Sequence, residues 1–378
     1  MAAPLASREM PQRGATVAFE QVSKRYPGGS AALADLTLTV PAGEICALVG
    51  PSGGGKTTAL KTVNRLVEPS SGRVLIDGTD VTRVEAVALR RRTGYVIQNV
   101  GLFPHRTVAE NVATVPELLG WARDRIRARV TELLELVGLA PAEYAARYPA
   151  QLSGGERQRV GVARALAAEP PVMLMDEPFA AVDPVVRERL QDEFLRIHER
   201  LGTTVLFVTH DIDEAIKMGD RVAVLQAGRL VQYAPPAELL EQPANDFVAR
   251  FVGADRGLKR LSLVACGDLD LRRVATARVG APVAGSARAE GDPYVLLLDR
   301  DGRPVGWVNV ERVRAATFDA SMADPSSPLF ARETRARDAL SQLMASGVRT
   351  GVVVDEAGGY IGVLALDDVV SLLGRREA

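Results

Sequence analysis

The run ICALVGPSGGGKTT, Ile45 to Thr58, leaves a chain few ways to fold. Five apolar residues in succession read as a buried strand, the glycines as a tight loop, and the segment from Lys56 onward as a helix. Gly50 to Thr57 fits G-x-x-x-x-G-K-[ST] in the strand–loop–helix setting that this pattern requires. Backbone N–H groups converge on a phosphate only where the loop curls tightly and no side chain blocks the approach. The helix that follows adds the positive end of its dipole. Gly50, Pro51, Ser52, Gly53, Gly54, Gly55, Lys56, Thr57 and Thr58 are therefore expected to bind nucleotide phosphates, with Lys56 neutralising charge and Thr57 ligating Mg²⁺.

Strand-like runs recur between about residues 15 and 233: LTLTV (36–40), VMLM (172–175), TVLFV (204–208) and RVAVL (221–225). Helix-like segments separate them, so a mostly parallel sheet with crossover helices is expected. Between Gln98 and Ser153 the pattern turns helical. Thr107 and Glu110 have capping-box spacing. Ile126, Val130, Leu133, Leu134 and Val137 then form an apolar stripe, with the arginines between them expected on a solvated face. This predicts a helical lobe inserted over about residues 99–160. Cys46 lies in the strand-like run ICALV and reads as a small buried thiol.

The segment VMLMDEPF carries Asp176 to the carboxyl edge of the sheet, where it is expected to bind Mg²⁺. Glu177 is then placed to polarise the water that attacks a γ-phosphate. In QLSGGERQR, Ser153, Gly154 and Gly155 open another helix and make a second anion-binding terminus.

Together these residues resemble the nucleotide-binding subunits of ABC transporters over roughly residues 16–235. Leu152–Glu156 resembles the LSGGQ signature, with Glu156 for the usual glutamine. The resemblance implies a P-loop NTPase of ABC type, an α/β fold with an inserted helical lobe. It also implies further roles: Tyr26 stacking on adenine, Gln98 touching Mg²⁺ and water and sensing the permease, Asp183 in a loop across a dimer interface, and His210 contacting the γ-phosphate. Catalysis is thus expected from Glu177, His210, Gln98 and Lys56, and Mg²⁺ binding from Thr57, Gln98 and Asp176. Two copies are expected to meet head to tail, each ATP lying between residues 50–57 of one and Ser153–Gly155 of the other.

Two stretches, Gly101–Trp121 and Pro243–Leu261, resemble importers of osmoprotectants such as glycine betaine, carnitine, choline and proline-type solutes. Beyond about residue 262 the chain repeats itself: LLLDRDGRPVGWV (296–308) aligns with VVVDEAGGYIGVL (352–364) without a gap. The repeat resembles a tandem CBS pair, a smaller α+β domain over 263–378 with copies at about 263–318 and 326–378. Asp368 matches the acid that holds ribose hydroxyls in nucleotide-binding copies, whereas Ala365, Asn309 and Arg312 depart from the pattern. A dimerising tail and a regulatory site for an adenine nucleotide such as cyclic di-AMP both stay open. Residues 1–14 read as a leader and 241–262 as a linking helical region.

The formal charge of −1 gives no electrostatic case for a nucleic-acid partner. Two cysteines provide no disulfide framework. No apolar run approaches the ~20 residues that cross a bilayer. The expectation is an ATPase with ATP and Mg²⁺ as cofactors, peripheral on the cytoplasmic face of the membrane. Its expected partners are a second copy, permease subunits and an external solute-binding protein. The alternatives are an ATPase for amino-acid or other small-solute import, and a soluble non-transport ABC ATPase or nucleotide-sensing module.

Overall fold

The computed structural model describes residues 14–29, 31–97, 101–180, 182–284 and 293–374. The chain divides into two compact units between Phe251 and Val252.

In the first unit the strands are β1 (Val17–Arg25), β2 (Ala31–Val40), β3 (Ile45–Val49), β4 (Ser71–Ile76), β5 (Thr79–Asp80), β6 (Thr93–Val96), β7 (Val172–Asp176), β8 (Thr204–Val208), β9 (Arg221–Gln226) and β10 (Arg229–Ala234). They form an antiparallel sheet, β2-β1-β4-β5, and a six-stranded sheet, β10-β9-β3-β8-β7-β6. Within the larger sheet β9, β3, β8, β7 and β6 run parallel, and β10 returns as a hairpin on β9. Every residue of β3 and β8 is buried, as befits central parallel strands covered on both faces. Strand β2 instead alternates, burying Leu36, Leu38 and Val40 while Thr37 and Thr39 face solvent. One apolar core joins the two sheets, from Phe19 and Leu36 to Leu48, Leu174 and Leu206. Cys46 lies within it, and burial pushes its thiol up to about 12.

Helix α1 (Lys56–Val63) follows β3, and α2 (Ala86–Arg91) precedes β6. The helices α3 (Val108–Leu118), α4 (Arg123–Leu136), α5 (Pro141–Tyr144) and α6 (Gly154–Leu166) lie between β6 and β7 and make the inserted lobe. Thr107 and Glu110 form the capping box that their spacing implies. The stripe on α4 buries Val130, Leu133 and Leu134. One arginine departs from the expected solvated face. Arg129 is buried, and its Nη2 donates to the Leu166 carbonyl at 3.1 Å while Nη1 reaches Glu132 at 2.9 Å. A helix-end carbonyl buried beside α4 needs a donor, and Arg129 supplies it. Helices α7 (Pro184–Leu201), α8 (Ile212–Met218), α9 (Pro236–Glu241) and α10 (Asp246–Val252) complete the series in which the first unit ends.

The second unit holds α11 (Arg256–Leu261) and two three-stranded sheets. The first is β11 (Thr276–Arg278), β12 (Tyr294–Leu298) and β13 (Pro304–Asn309). The second is β14 (Leu329–Ala331), β15 (Thr350–Val354) and β16 (Tyr360–Ala365). In both, the first strand pairs parallel and the last antiparallel with the middle one, so the sequence repeat is a repeat of topology. The second copy carries α12 (Ala336–Ser346) and α13 (Leu366–Gly374). The two copies bury separate apolar clusters, one around Val295, Leu297 and Phe318, the other around Phe330, Leu343 and Val353. No helix among the described residues is long and apolar enough to cross a membrane.

Candidate active site

Parallel pairing brings the carboxyl ends of β3, β7 and β8 to one edge: Leu48 pairs with Val208, and Val208 with Asp176. The chain leaves β3 at Gly50, whose φ is +141° and where an added Cβ would stand 2.0 Å from the Leu225 carbonyl oxygen. Gly55 caps α1 at φ +95°, where a Cβ would stand 2.3 Å from the Ala32 carbonyl oxygen. Only glycine fits either place. Gly54 accepts from Gly228 N at 3.1 Å, so the β9–β10 turn braces the loop. Pro51, Ser52 and Gly53 at its tip are exposed. No side chain caps the first turn of α1, which leaves its N-terminus open towards the hollow of the loop.

Lys56 is 7% exposed and its Nζ donates to the Gly50 and Pro51 carbonyls at 2.7 and 2.9 Å. Burial pulls its ammonium below the usual range, while Glu177 and Asp176 pull the other way. Thr57 Oγ1 donates to Asp176 Oδ1 at 3.0 Å. Burial raises the Asp176 carboxyl, opposed by the Thr57 hydrogen bond and by Lys61. Thr58 is half-buried one position further along α1.

Glu177 adopts φ +48°, uncommon for a side chain of its size, and its N–H donates to Val208 O at 3.0 Å. That bond ties it to the end of β8, from which the exposed His210 reaches back, Nδ1 lying 3.6 Å from Glu177 Oε1. Thr57, Asp176, Glu177 and His210 thus form one continuous run beside the glycine loop.

Other expected residues lie apart from this run. Tyr26 is 44% exposed, with Lys24 Nζ 5.2 Å from its ring centre. Ser153 caps α6 in a capping box with Glu156, its Oγ accepting from Glu156 N at 3.3 Å and its N–H donating to Glu156 Oε2 at 2.7 Å. Tyr144 donates to the other Glu156 oxygen at 2.8 Å, and these bonds hold that carboxyl below its ordinary range, the backbone bond from Ser153 first. Gly154 faces solvent and Gly155 is half-buried behind it. The hydrogen bonds of Ser153 stay within its own cap rather than reaching residues 50–57. Exposed Asp183 caps α7, accepting from Val185 and Val186 N–H groups. Gln98 lies outside the described residues. In the tail, Asp368 is engaged by Arg272.

Four residues that the sequence did not single out, Thr209, Asp211, Glu214 and Arg187, stand behind His210. Thr209 Oγ1 donates to buried Glu214 at 2.6 Å and accepts from Asp211 N at 3.0 Å, and Arg187 faces both acids. No motif marks them, because Arg187 sits on α7 and its partners more than twenty positions on.

The protein-family profile described as "ABC transporter" matches residues 33–180, and that described as "CBS domain" matches 324–375. The osmoprotectant import ATP-binding protein OsmV of Salmonella typhimurium is 47% identical over 347 residues, covering 90% of this chain and 91% of that protein. The glycine betaine/carnitine/choline transport ATP-binding protein OpuCA of Bacillus subtilis is 42% identical over 370 residues, covering 94% and 95%. Among solved structures, the dimeric post-hydrolysis state of the ATP-binding cassette MJ0796 bound to ADP and Pi matches with a TM-score of 0.53 and 33% identity. It covers 58% of this chain and 98% of that one.

Proposed function

Because the chain belongs to the ABC transporter ATP-binding proteins, we propose that it is the ATPase subunit powering import of a compatible solute of the glycine betaine, choline, carnitine or proline type. The observation that carries the hydrolytic part is the run Thr57–Asp176–Glu177–His210 at one sheet edge beside the glycine loop. The cargo is inferred from relatives that bear osmoprotectant names and match the tail as well as the ATPase unit.

In this reading the loop from Gly50 to Thr58 wraps the ATP phosphates and Lys56 turns from its two carbonyls to the β- and γ-phosphates. Thr57 and Asp176 offer two hard oxygens side by side, a donor set suited to Mg²⁺, with Gln98 as a third candidate. The bound ion would offset charge on the β- and γ-phosphates. Glu177 accepts a hydrogen bond from the attacking water, and its backbone bond to Val208 holds it at the required angle. His210 donates to the γ-phosphate as negative charge shifts during cleavage. Tyr26 stacks on the adenine.

Ser153, Gly154, Gly155 and Asp183 lie outside this run and act on a second copy. ATP is held between the Gly50–Thr58 loop of one protomer and the α6 N-terminus of its partner, so binding closes the pair and hydrolysis reopens it. The closed pair drives permease subunits at the cytoplasmic face of the membrane, served by an extracytoplasmic solute-binding protein. Uptake into vesicles bearing the whole complex, with betaines, choline, carnitine, proline and other amino acids as a panel, tests the cargo. Transport confined to amino acids would defeat the osmolyte assignment and leave the ATPase standing.

A further inference from the structure

Arg187 stands on the first turn of α7 between two loops of the site. Its Nη2 donates to the Val182 carbonyl at 3.0 Å, the residue before Asp183. Its Nη1 lies 3.6 Å from Asp211 Oδ2, and its Nε 3.7 Å from Glu214 Oε1. The guanidinium therefore faces two acids that follow His210, one adjoining it and one four residues on.

Backbone groups hold part of the His210 turn, Thr209 N–H donating to the Leu48 carbonyl at 3.2 Å and Asp211 Oδ1 accepting from Asp213 N–H at 2.9 Å. The Thr209 hydroxyl adds a side-chain link, donating to Glu214 and accepting from Asp211 N–H, so a change at the Glu214 carboxylate reaches both neighbours of His210. Glu214 is buried, and burial raises its carboxyl while the Thr209 hydrogen bond, then Arg187 and His210, pull it down. A buried carboxylate needs a cation to keep its charge, and Arg187 is the guanidinium that faces it. Both ion pairs are longer than hydrogen bonds, and Arg187 Nε is buried without a hydrogen-bond partner. A small shift of the Val182–Asp183 loop would change both distances at once.

We infer that Arg187 is a positioning residue for hydrolysis: through Asp211 and Glu214 it sets His210, and through the Val182 carbonyl it ties that setting to the loop that meets a second copy. This rests on the hydrolytic reading above. It also gives the interface a physical route to the γ-phosphate inside one chain, because pressure on Asp183 moves the guanidinium that orders the His210 turn.

The test is steady-state ATP hydrolysis by the full chain with Mg²⁺. Arg187→Ala and Arg187→Lys should lower kcat at least 10-fold and leave KM for ATP within 2-fold, since Arg187 acts through Asp211 and Glu214 rather than on the nucleotide and lysine cannot fork to three acceptors. The double variant Arg187→Met with Glu214→Gln removes the buried charge together with its cation, leaving only the half-exposed Asp211 carboxylate, which solvent reaches. It should melt within a few degrees of wild type and still lose kcat. Wild-type kcat in the double variant, in either single variant, or a loss confined to KM would overturn the inference while wild-type turnover stands. A wild-type chain without ATPase activity would overturn the hydrolytic reading and this inference with it.

Discussion

Arg272 grips Asp368 with a two-pronged fork: Nε donates to Oδ2 at 2.8 Å and Nη2 to Oδ1 at 2.6 Å. Asp368 is the acid whose sequence neighbourhood resembles a ribose-holding position, and here a side chain 96 residues earlier occupies both of its oxygens. The hydrogen bond from Arg272 is the chief influence that holds its carboxyl below the usual range. Arg272 is 55% exposed and Asp368 32%, so solvent screens the pair and its contribution is about 0.5 kcal/mol.

Arg272→Ala and Asp368→Asn should therefore destabilise the chain by similar small amounts, and the double variant by no more than either. The sign with pH follows from the depressed carboxyl. The contribution is whole above the unfolded value near 3.8 and disappears as pH falls through the lower folded value. Urea unfolding of the four chains at pH 7 checks this, and additive losses would show the two residues to be uncoupled.

Glu177→Gln and His210→Ala should each reduce kcat by about 10²-fold or more while ATP still binds, because both act on the water and the γ-phosphate rather than on the nucleotide's anchorage. Stopped-flow binding of a fluorescent ATP analogue beside a phosphate-release assay separates the two effects. Weakened binding with unchanged kcat would remove both residues from the hydrolytic step.

The phosphate loop can be probed by single methyl groups. Gly50→Ala puts a Cβ 2.0 Å from a carbonyl oxygen at φ +141°, whereas Gly53→Ala, at φ +78°, meets no atom within 4 Å. The second should cost about 1 kcal/mol from its backbone conformation alone. The first should cost more and abolish nucleotide binding. Equal effects of the two, measured by urea unfolding and ATP titration, would mean that the loop is not shaped by the Leu225 carbonyl.

Burial raises Glu214, with Asp211 adding to the rise, and the Thr209 hydrogen bond opposes it first, then Arg187 and His210. A carboxyl whose folded value exceeds its unfolded value near 4.5 holds its proton longer in the folded chain. Stability attributable to it is therefore greatest below that value and declines as pH rises through the folded one. Glu214→Gln keeps an acceptor for Thr209 and should flatten that decline. An unchanged slope of melting temperature between pH 4.5 and 7 would contradict the assignment.

What the sequence made legible follows from the range of the forces involved. Strands β3 and β8 match the runs ICALV and TVLFV end to end, because all five residues of each are buried and no alternation blurs them. Strand β1 escapes the same reading: Gln21 at φ +50° and repeated register shifts break its alternation against β2 and β4. The site behaves likewise. Gly50–Thr57, Asp176, Glu177 and His210 are visible because each group sits at or just beyond the end of a buried strand, whereas Arg129 and Arg187 find their acceptors on other segments. Spacing along one helix face says nothing about a carbonyl brought there by Leu166.

The second anion site can be tested by mixing chains. Lys56→Ala and Ser153→Arg should each be inactive as pure species, since every site then contains one damaged half. A mixture should regain part of the wild-type turnover, because one site of the mixed pair unites an intact phosphate loop with an intact α6 N-terminus. Activity of pure Ser153→Arg, or no gain on mixing, would place the second half-site elsewhere.

The central claim is that ATP is held jointly by two copies of this chain. Sedimentation velocity of Glu177→Gln, with and without saturating ATP and Mg²⁺, measures it directly. The claim predicts a shift from monomer to dimer that depends on nucleotide and reverses on its removal; a chain that sediments as a monomer throughout, with nucleotide bound, would contradict it.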